Sequence, residues 1–254
     1  MNILETKELK VYFHQHNRLV KALDGVDLFL PHGKTAALVG SSGCGKTTLA
    51  RTILGLYRPL AGKIYLNNTD ITLPHDQKLL RENVRMVFQN PVLSFDPRFR
   101  IQESLREALP AARAPDRRQD QKLVLAALEE AGLDAPAAGR FPHELSGGQL
   151  QRAAIARALI KRPSVVIFDE PFSSLDAINA GKILGLLLAL KRTLGTAYLV
   201  ITHDIRLAAR IADLIFVMRD GKIIECGPAE ALVKNPGQKY TQLLLDAAFY
   251  RLKE

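Results

Sequence analysis

An α/β fold is what the sequence predicts, with a core of parallel strands, a β-rich N-terminal lobe and an inserted helical subdomain. Three short runs are predominantly apolar: 35–39 (TAALV), 165–168 (VVIF) and 197–201 (AYLVI). Without polar alternation they read as strands covered on both faces, as in a parallel sheet. Each run leads into a polar motif at its C-terminal end, the edge at which open α/β sheets bind ligands. Helical patterns at 46–54, 149–160 and 177–193 alternate with these runs, as βα units require.

The elements follow in order. The first sixty-odd residues otherwise read as β-rich, with a short strand at 63–66 ahead of an Asn67-Asn68 turn. From 101 to 130 the pattern is helical, broken at Pro110 and Pro115 among charged residues, and 132–142 reads as a loop. Residues 89–160 are therefore expected to form a helical subdomain inserted within one domain of 1–254. Near the C-terminus, a turn at Asp220-Gly221 precedes a strand at 222–225, and helices are expected at 229–233 and 240–249. No internal repeat or low-complexity segment interrupts the chain.

Composition narrows the class. Hydrophobic residues make up 47% and charged residues 24%, ordinary values for a globular protein. The longest apolar stretch, 183–190, falls well short of the roughly 18 residues of a membrane span. Residues 1–10 carry Glu5 and Glu8 and lack an apolar centre, so no signal peptide is expected and a cytoplasmic protein is. Two cysteines, Cys44 and Cys226, supply neither a disulfide framework nor a four-thiolate metal site. The net charge of +9 raises the question of nucleic acid, but the arginines are scattered, Trp is absent and aromatics amount to 6%. A basic surface facing nucleotide, anionic lipid or an acidic partner is the reading taken, with no nucleic-acid partner.

Three motifs carry chemistry. Gly40-Ser41-Ser42-Gly43-Cys44-Gly45-Lys46-Thr47-Thr48 has the P-loop spacing between a predicted strand and a predicted helix, so the core is that of a P-loop NTPase. Its glycines let backbone N–H groups wrap a β-phosphate, Lys46 reaches the β- and γ-phosphates, and the Thr47 hydroxyl is a Mg²⁺ ligand. The run 165–168 ends in Asp169 and Glu170: Asp169 is expected to hold Mg²⁺, and Glu170, on the other side of the pleat, to deprotonate an attacking water. Pro171 stops the strand. Leu145-Ser146-Gly147-Gly148-Gln149 opens the helix that follows it, where a hydroxyl, close backbone approach and the helix dipole favour an anion. One chain thus carries two phosphate-binding elements, and one ATP does not obviously fill both.

The P-loop, LSGGQ and the strand ending in Asp-Glu, in this order and with a helical insert, resemble the ATP-binding-cassette (ABC) ATPase family over essentially the whole chain. That resemblance implies ATP and Mg²⁺ as ligands and a pair of subunits. Each ATP would be sandwiched between the P-loop of one subunit and the Ser146–Gln149 segment of the other. It also implies roles for residues that are unremarkable alone. Gln89 matches the glutamine that links core to helical subdomain and touches Mg²⁺ or the water. Ser173-Ser174-Leu175-Asp176 resembles the loop that crosses to the partner, although by itself it reads as a helix N-cap. His203 matches the switch histidine at the γ-phosphate. Phe13 matches the aromatic that stacks on adenine, with Tyr12 as competitor because strand register is open by one residue.

Within the family, Gln89-Asn90-Pro91 followed by Ser94-Phe95-Asp96-Pro97-Arg98 resembles the dipeptide, oligopeptide and nickel importer ATPases. Phe141-Pro142-His143-Glu144 and Lys239-Tyr240-Thr241-Gln242-Leu243-Leu244 are similar to the same group, although Gln238-Lys239 stands where His-Pro is usual. With Cys226 alone in this region, no iron–sulfur site is implied. The resemblance implies a peripheral subunit on the cytoplasmic face of the membrane, pairing with itself or a paralogue. Two permease subunits would dock on 90–100, and an extracytoplasmic solute-binding protein would act indirectly. The rival reading is a soluble ABC ATPase of an enzyme complex resembling the carbon–phosphorus lyase accessory subunit. A DNA-maintenance ATPase is disfavoured, because no long coiled-coil or zinc insertion fits between Gln89 and Ser146.

Overall fold

Two sheets organise the chain in the computed structural model, which describes residues 1–15, 18–73, 77–109, 117–173 and 175–249. Strands β1 (Asn2–Gln15) and β2 (Arg18–Pro31) pair as a long antiparallel ribbon. The chain then crosses into the second sheet as β3 (Thr35–Val39), and α1 (Lys46–Ile53) returns it to the first as β4 (Ala61–Leu66) and β5 (Thr69–Asp70). The β4–β5 connection is the expected Asn67-Asn68 turn, with φ of 49° and 63°. Positive φ at both central residues is the twist that a two-residue hairpin needs, and asparagine tolerates it best among non-glycine residues. This sheet runs in the order β2-β1-β4-β5.

After α2 (Gln77–Asn83) and β6 (Val84–Val87) comes a helical stretch with α3 (Ile101–Glu107), α4 (Arg117–Glu130) and α5 (Gly147–Leu159). Then β7 (Val165–Asp169), α6 (Ala177–Leu194), β8 (Ala197–Thr202), α7 (Ile205–Ile211) and β9 (Leu214–Arg219) alternate. The described chain closes with β10 (Lys222–Pro228), α8 (Ala229–Lys234) and α9 (Lys239–Phe249). The second sheet has the order β10-β9-β3-β8-β7-β6, parallel throughout except for the antiparallel β9–β10 edge. The three apolar runs are its centre.

Alternate side chains of those strands enter different cores. Val166, Phe168, Tyr198 and Val200 face a cluster shared with α3, α4, α5 and α6, whereas Val165, Ile167, Leu199 and Ile201 face one shared with α1 and the antiparallel sheet. Burial on both faces explains why the runs show no polar alternation. A third, smaller cluster joins Ala37 and Val39 to α7, α8 and α9.

Local differences from the sequence reading have physical causes. Helix α5 begins at Gly147, two residues before the expected start, because Ser146 caps it: Ser146 Oγ accepts from Gln149 N at 3.3 Å and Gln149 Oε1 accepts from Ser146 N at 2.9 Å. The stretch 132–142 holds 3₁₀ turns at Ala135–Gly139 and Pro142–Glu144, each with proline in its first turn. The helical pattern of 101–130 divides into α3 and α4, and the breaks at Pro110 and Pro115 lie outside the described residues. Helix α7 and strand β9 have no counterpart in the sequence reading; seven residues are too few to show a helical period.

Candidate functional site

The C-terminal ends of β3, β7 and β8 meet along one sheet edge, and the loops beyond them build the site. After β3 the loop from Gly40 to Gly45 wraps into α1. Gly40 leaves no room for a side chain: a Cβ there would collide with the Met218 carbonyl and stand 2.8 Å from Cys44 Sγ. Gly45 has φ of 113°, a conformation that L side chains rarely adopt, and its Cα faces the Ala22 carbonyl. Both glycines are thus required by the backbone path.

Lys46 points back across this loop. Its Nζ donates to the carbonyls of Gly40 and Ser41, each at 2.8 Å, and lies 3.7 Å from Cys44 Sγ. A buried ammonium held by the carbonyls of a glycine-rich loop is suited to a polyphosphate. The cavity in front of it, about 790 Å³, is lined by 42–48 of this loop, by Gln89, Glu170 and His203, and by 20–22 and 220–221. Gly40 and Ser41 stand behind that wall and hold Lys46.

A second cavity of about 500 Å³ adjoins it, where Thr47, Gln89 and Asp169 converge with Arg51 and the 88–94 segment. Thr47 Oγ1 donates to Asp169 Oδ1 at 3.3 Å. Burial pushes the Asp169 carboxyl above the usual carboxylate range; the Thr47 hydrogen bond opposes this, and the charge of Glu170 adds to it. Among the described residues no group of three or more His, Cys, Asp or Glu could hold a metal alone. One buried carboxylate with a hydroxyl and an amide is instead an all-oxygen set of the kind that shares Mg²⁺ with substrate phosphates, so these residues fit that ion.

Glu170 sits just past β7 with φ of 49°, in the sparsely populated left-handed region for a non-glycine residue. Its N–H still donates to the Ile201 carbonyl at 2.9 Å, extending the pairing with β8 by one residue before Pro171 ends it. His203 follows β8, and its Nδ1 stands 3.0 Å from each Glu170 carboxylate oxygen. The Glu170 side chain is only 13% exposed, whereas that of His203 is 63% exposed. A sheltered carboxylate beside an open cavity, with an imidazole on it, has the placement a base for a bound water requires.

Other expected residues lie elsewhere. Ser146, Gly147, Gly148 and Gln149 cap α5 and do not line the cavity; a Cβ on Gly147 would meet nothing within 4 Å. Asp176 caps α6, accepting from Asn179 N at 2.9 Å and Asn179 Nδ2 at 2.6 Å, and Ser174 beside it lies outside the described residues. The Asn179 side chain in turn lies 3.7 Å from where a Cβ of Gly148 would be, so the starts of α5 and α6 sit together on one surface. Phe13 packs edge-on against Tyr57 at 5.3 Å and pairs in register with Val20, which lines the cavity. Tyr12 pairs with Lys21 and donates from Oη to Asp24 Oδ1 at 2.6 Å.

The sequence reading missed the walls built by Val20, Lys21 and Ala22 and by Asp220-Gly221, for which a turn signal was the sole hint. Gly221 N donates to the Cys44 carbonyl at 3.0 Å and its own carbonyl accepts from Asp24 N at 2.8 Å, so this turn ties the glycine-rich loop to the antiparallel sheet.

Comparison with known proteins gives a consistent answer. Residues 23–173 match the family model described as ABC transporter. The chain is 42% identical over 233 residues to the dipeptide transport ATP-binding protein DppF of Escherichia coli, covering 91% of this chain and 70% of that protein. It is 38% identical over 255 residues to the oligopeptide transport ATP-binding protein AppF of Bacillus subtilis, covering 96% and 78%. Among solved structures, it is similar to the dimeric, post-hydrolysis ATP-binding cassette MJ0796 bound to ADP and Pi, with TM-score 0.80 and 30% identity over 89% of this chain and 98% of that one. CbiO1 from Clostridium perfringens, part of the transporter complex cbiONQ, gives TM-score 0.82 at 28% identity over 99% and 97%.

Proposed function

The chain belongs to the ABC transporter family, and from that premise we propose that it is the ATP-hydrolysing subunit of a peptide importer. Its relatives' names supply the cargo class, since those matched over most of the chain are dipeptide and oligopeptide transport ATP-binding proteins. No helix among the described residues is long and apolar enough to cross a membrane, so separate permease subunits would carry the solute. Segment 90–100 is the proposed dock for them: Val92 and Leu93 are 59% and 83% exposed beside Gln89. Two permeases, a second ATPase subunit and an extracytoplasmic peptide-binding protein complete the proposed assembly at the cytoplasmic face.

One observation carries this reading. The two proposed phosphate-binding elements, the 42–48 loop and the start of α5, do not share a cavity. Two copies, or a copy and a paralogue, facing head to tail would bring the Ser146–Gln149 segment of one to the loop of the other. The similar cassette MJ0796 is dimeric with ADP and Pi. Asp176, at the cap of α6 on the same surface as Gly148, suits the crossing loop.

In the proposed reaction, the 42–48 amides and Lys46 bind the phosphates, and Phe13, on the face of β1 that Val20 shares, offers an aromatic shelf to the base. Thr47, Asp169 and Gln89 would hold Mg²⁺. Bound there, Mg²⁺ would offset phosphate charge as it builds in the transition state. Glu170 takes the proton from the attacking water, and His203 orients the Glu170 carboxylate and reaches toward the γ-phosphate. The helical subdomain proposed for 89–160 carries Ser146 and the dock on one body, so closing the pair on ATP moves the permeases. The test is reconstitution with permeases and a partner ATPase: peptide-loaded binding protein should raise ATP turnover. Turnover indifferent to peptide across a broad peptide set would overturn the importer reading.

A further inference from the structure

The segment Lys239-Tyr240-Thr241, which marks the subgroup without any assigned role, reaches the phosphate loop. The Tyr240 hydroxyl accepts from the backbone N–H of Ser41 at 3.1 Å. In a trans peptide the N–H and the preceding carbonyl point in opposite directions. A hold on Ser41 N–H from outside the loop therefore aims the Gly40 carbonyl inward, where it accepts from Lys46 Nζ at 2.8 Å. The hydroxyl and the ammonium grip the two ends of one peptide plane.

Tyr240 is itself fixed in place. Glu225 of β10 accepts from the N–H groups of Gly237 at 2.6 Å and Gln238 at 3.1 Å and from the Thr241 hydroxyl, which clamps the first turn of α9. The Arg219 guanidinium lies 5.0 Å from the Tyr240 ring centre and donates to Asp220 at 3.2 Å, a residue of the cavity wall. Arg219 of β9 thus holds the Tyr240 ring, and Glu225 of β10 holds the helix start that carries it.

We infer that Tyr240 is a positioning residue for nucleotide binding, setting the Gly40–Ser41 peptide so that Lys46 is preorganised for phosphate. This rests on the reading of 40–48 as the phosphate cradle. Tyr240→Phe keeps the ring and the Arg219 contact and deletes only the hydroxyl. Titration of the full chain with ATP and with ADP should show affinity 3- to 10-fold weaker for both, the scale of one net hydrogen bond. In the assembled ATPase, KM should rise by the same factor while kcat stays within twofold. Ser41→Pro removes the same N–H from the other side, and adding Tyr240→Phe to it should cost no further affinity.

Affinity of Tyr240→Phe within 1.5-fold of the parent overturns the inference, as does an undiminished loss in the Ser41→Pro background. Lys46→Ala separates the two readings. If it binds ATP as the parent does, the cradle assignment fails; if it loses affinity and Tyr240→Phe does not, only the role of Tyr240 falls.

Discussion

His203 Nδ1 stands 3.0 Å from both carboxylate oxygens of Glu170, although the two residues leave different strands. Parallel pairing of Asp169 with Ile201 sets this contact, because it brings the ends of β7 and β8 level. An imidazole astride a carboxylate fixes its orientation without occupying the cavity. Glu170→Gln keeps the shape and removes the basicity, so ATP should still bind while hydrolysis falls on the order of 10²-fold or more. Single-turnover hydrolysis measures this, and turnover within threefold of the parent would refute the assignment. His203→Ala should also lower turnover with ATP affinity retained.

Lys46 is buried and is held by two loop carbonyls rather than by a carboxylate. Neither partner is charged, so phosphate oxygens can join the ammonium without breaking an ion pair. Lys46→Ala should weaken ATP and ADP binding at least tenfold, consistent with loss of a charge-assisted contact worth about 1.5–3 kcal/mol. Equilibrium titration with either nucleotide checks it; unchanged affinity would remove the loop from the site.

The two cysteines provide an internal comparison. Cys226 is exposed, whereas Cys44 is buried, its thiol packed with the core beneath the loop and 3.7 Å from Lys46 Nζ. A bulky thiol reagent should label Cys226 quickly and Cys44 slowly, and labelled Cys44 should block ATP binding. Bound ATP should slow the Cys44 reaction and leave Cys226 unaffected, as read by mass spectrometry of timed samples. Equal Cys44 rates with and without nucleotide would contradict the geometry.

Much of this site was legible because its chemistry is contiguous. A glycine-rich loop, an acidic pair and a histidine each follow a predominantly apolar strand, so the sheet edge was readable from three short runs. Ser146 was legible as a helix start for the same reason, since its capping partner Gln149 is three residues away. What stayed hidden is assembled from distance in sequence. Val20, Lys21 and Ala22 line the cavity beside a slip in the β1–β2 register between Val11 and Tyr12, which also sets the faces of Phe13 and Tyr12. Tyr240 lies 199 residues from Ser41, and no periodicity announces such a contact.

Asp213 joins the start of β3 to α6. Its carboxylate accepts from Thr35 N at 2.8 Å, Lys191 Nζ at 2.7 Å and Lys34 Nζ at 3.1 Å. Burial pushes this carboxyl up, but Lys191, the Thr35 N–H and Lys34 outweigh that and hold it below the usual carboxylate range. A depressed folded-state pKa stabilises the fold above the unfolded value of about 3.9 and loses that contribution as pH falls through the folded one. Asp213→Asn should cost about 1 kcal/mol at neutral pH, allowing for screening of a partly exposed pair, and should flatten the acid limb below about pH 4. Thermal melts across pH 3–7 test this; parallel curves for parent and variant would exclude it.

The central claim is that the start of α5 completes a nucleotide site on a partner subunit. The most direct measurement takes Ser146→Arg through two assays: ATP affinity of the isolated chain, and ATP turnover of the assembled pair. Because Ser146 does not line the cavity of its own chain, affinity should stay within twofold while turnover falls at least a hundredfold, the scale of lost transition-state contacts to phosphate. Parent-like turnover, or an affinity loss in the isolated chain matching the loss of turnover, would contradict a shared site.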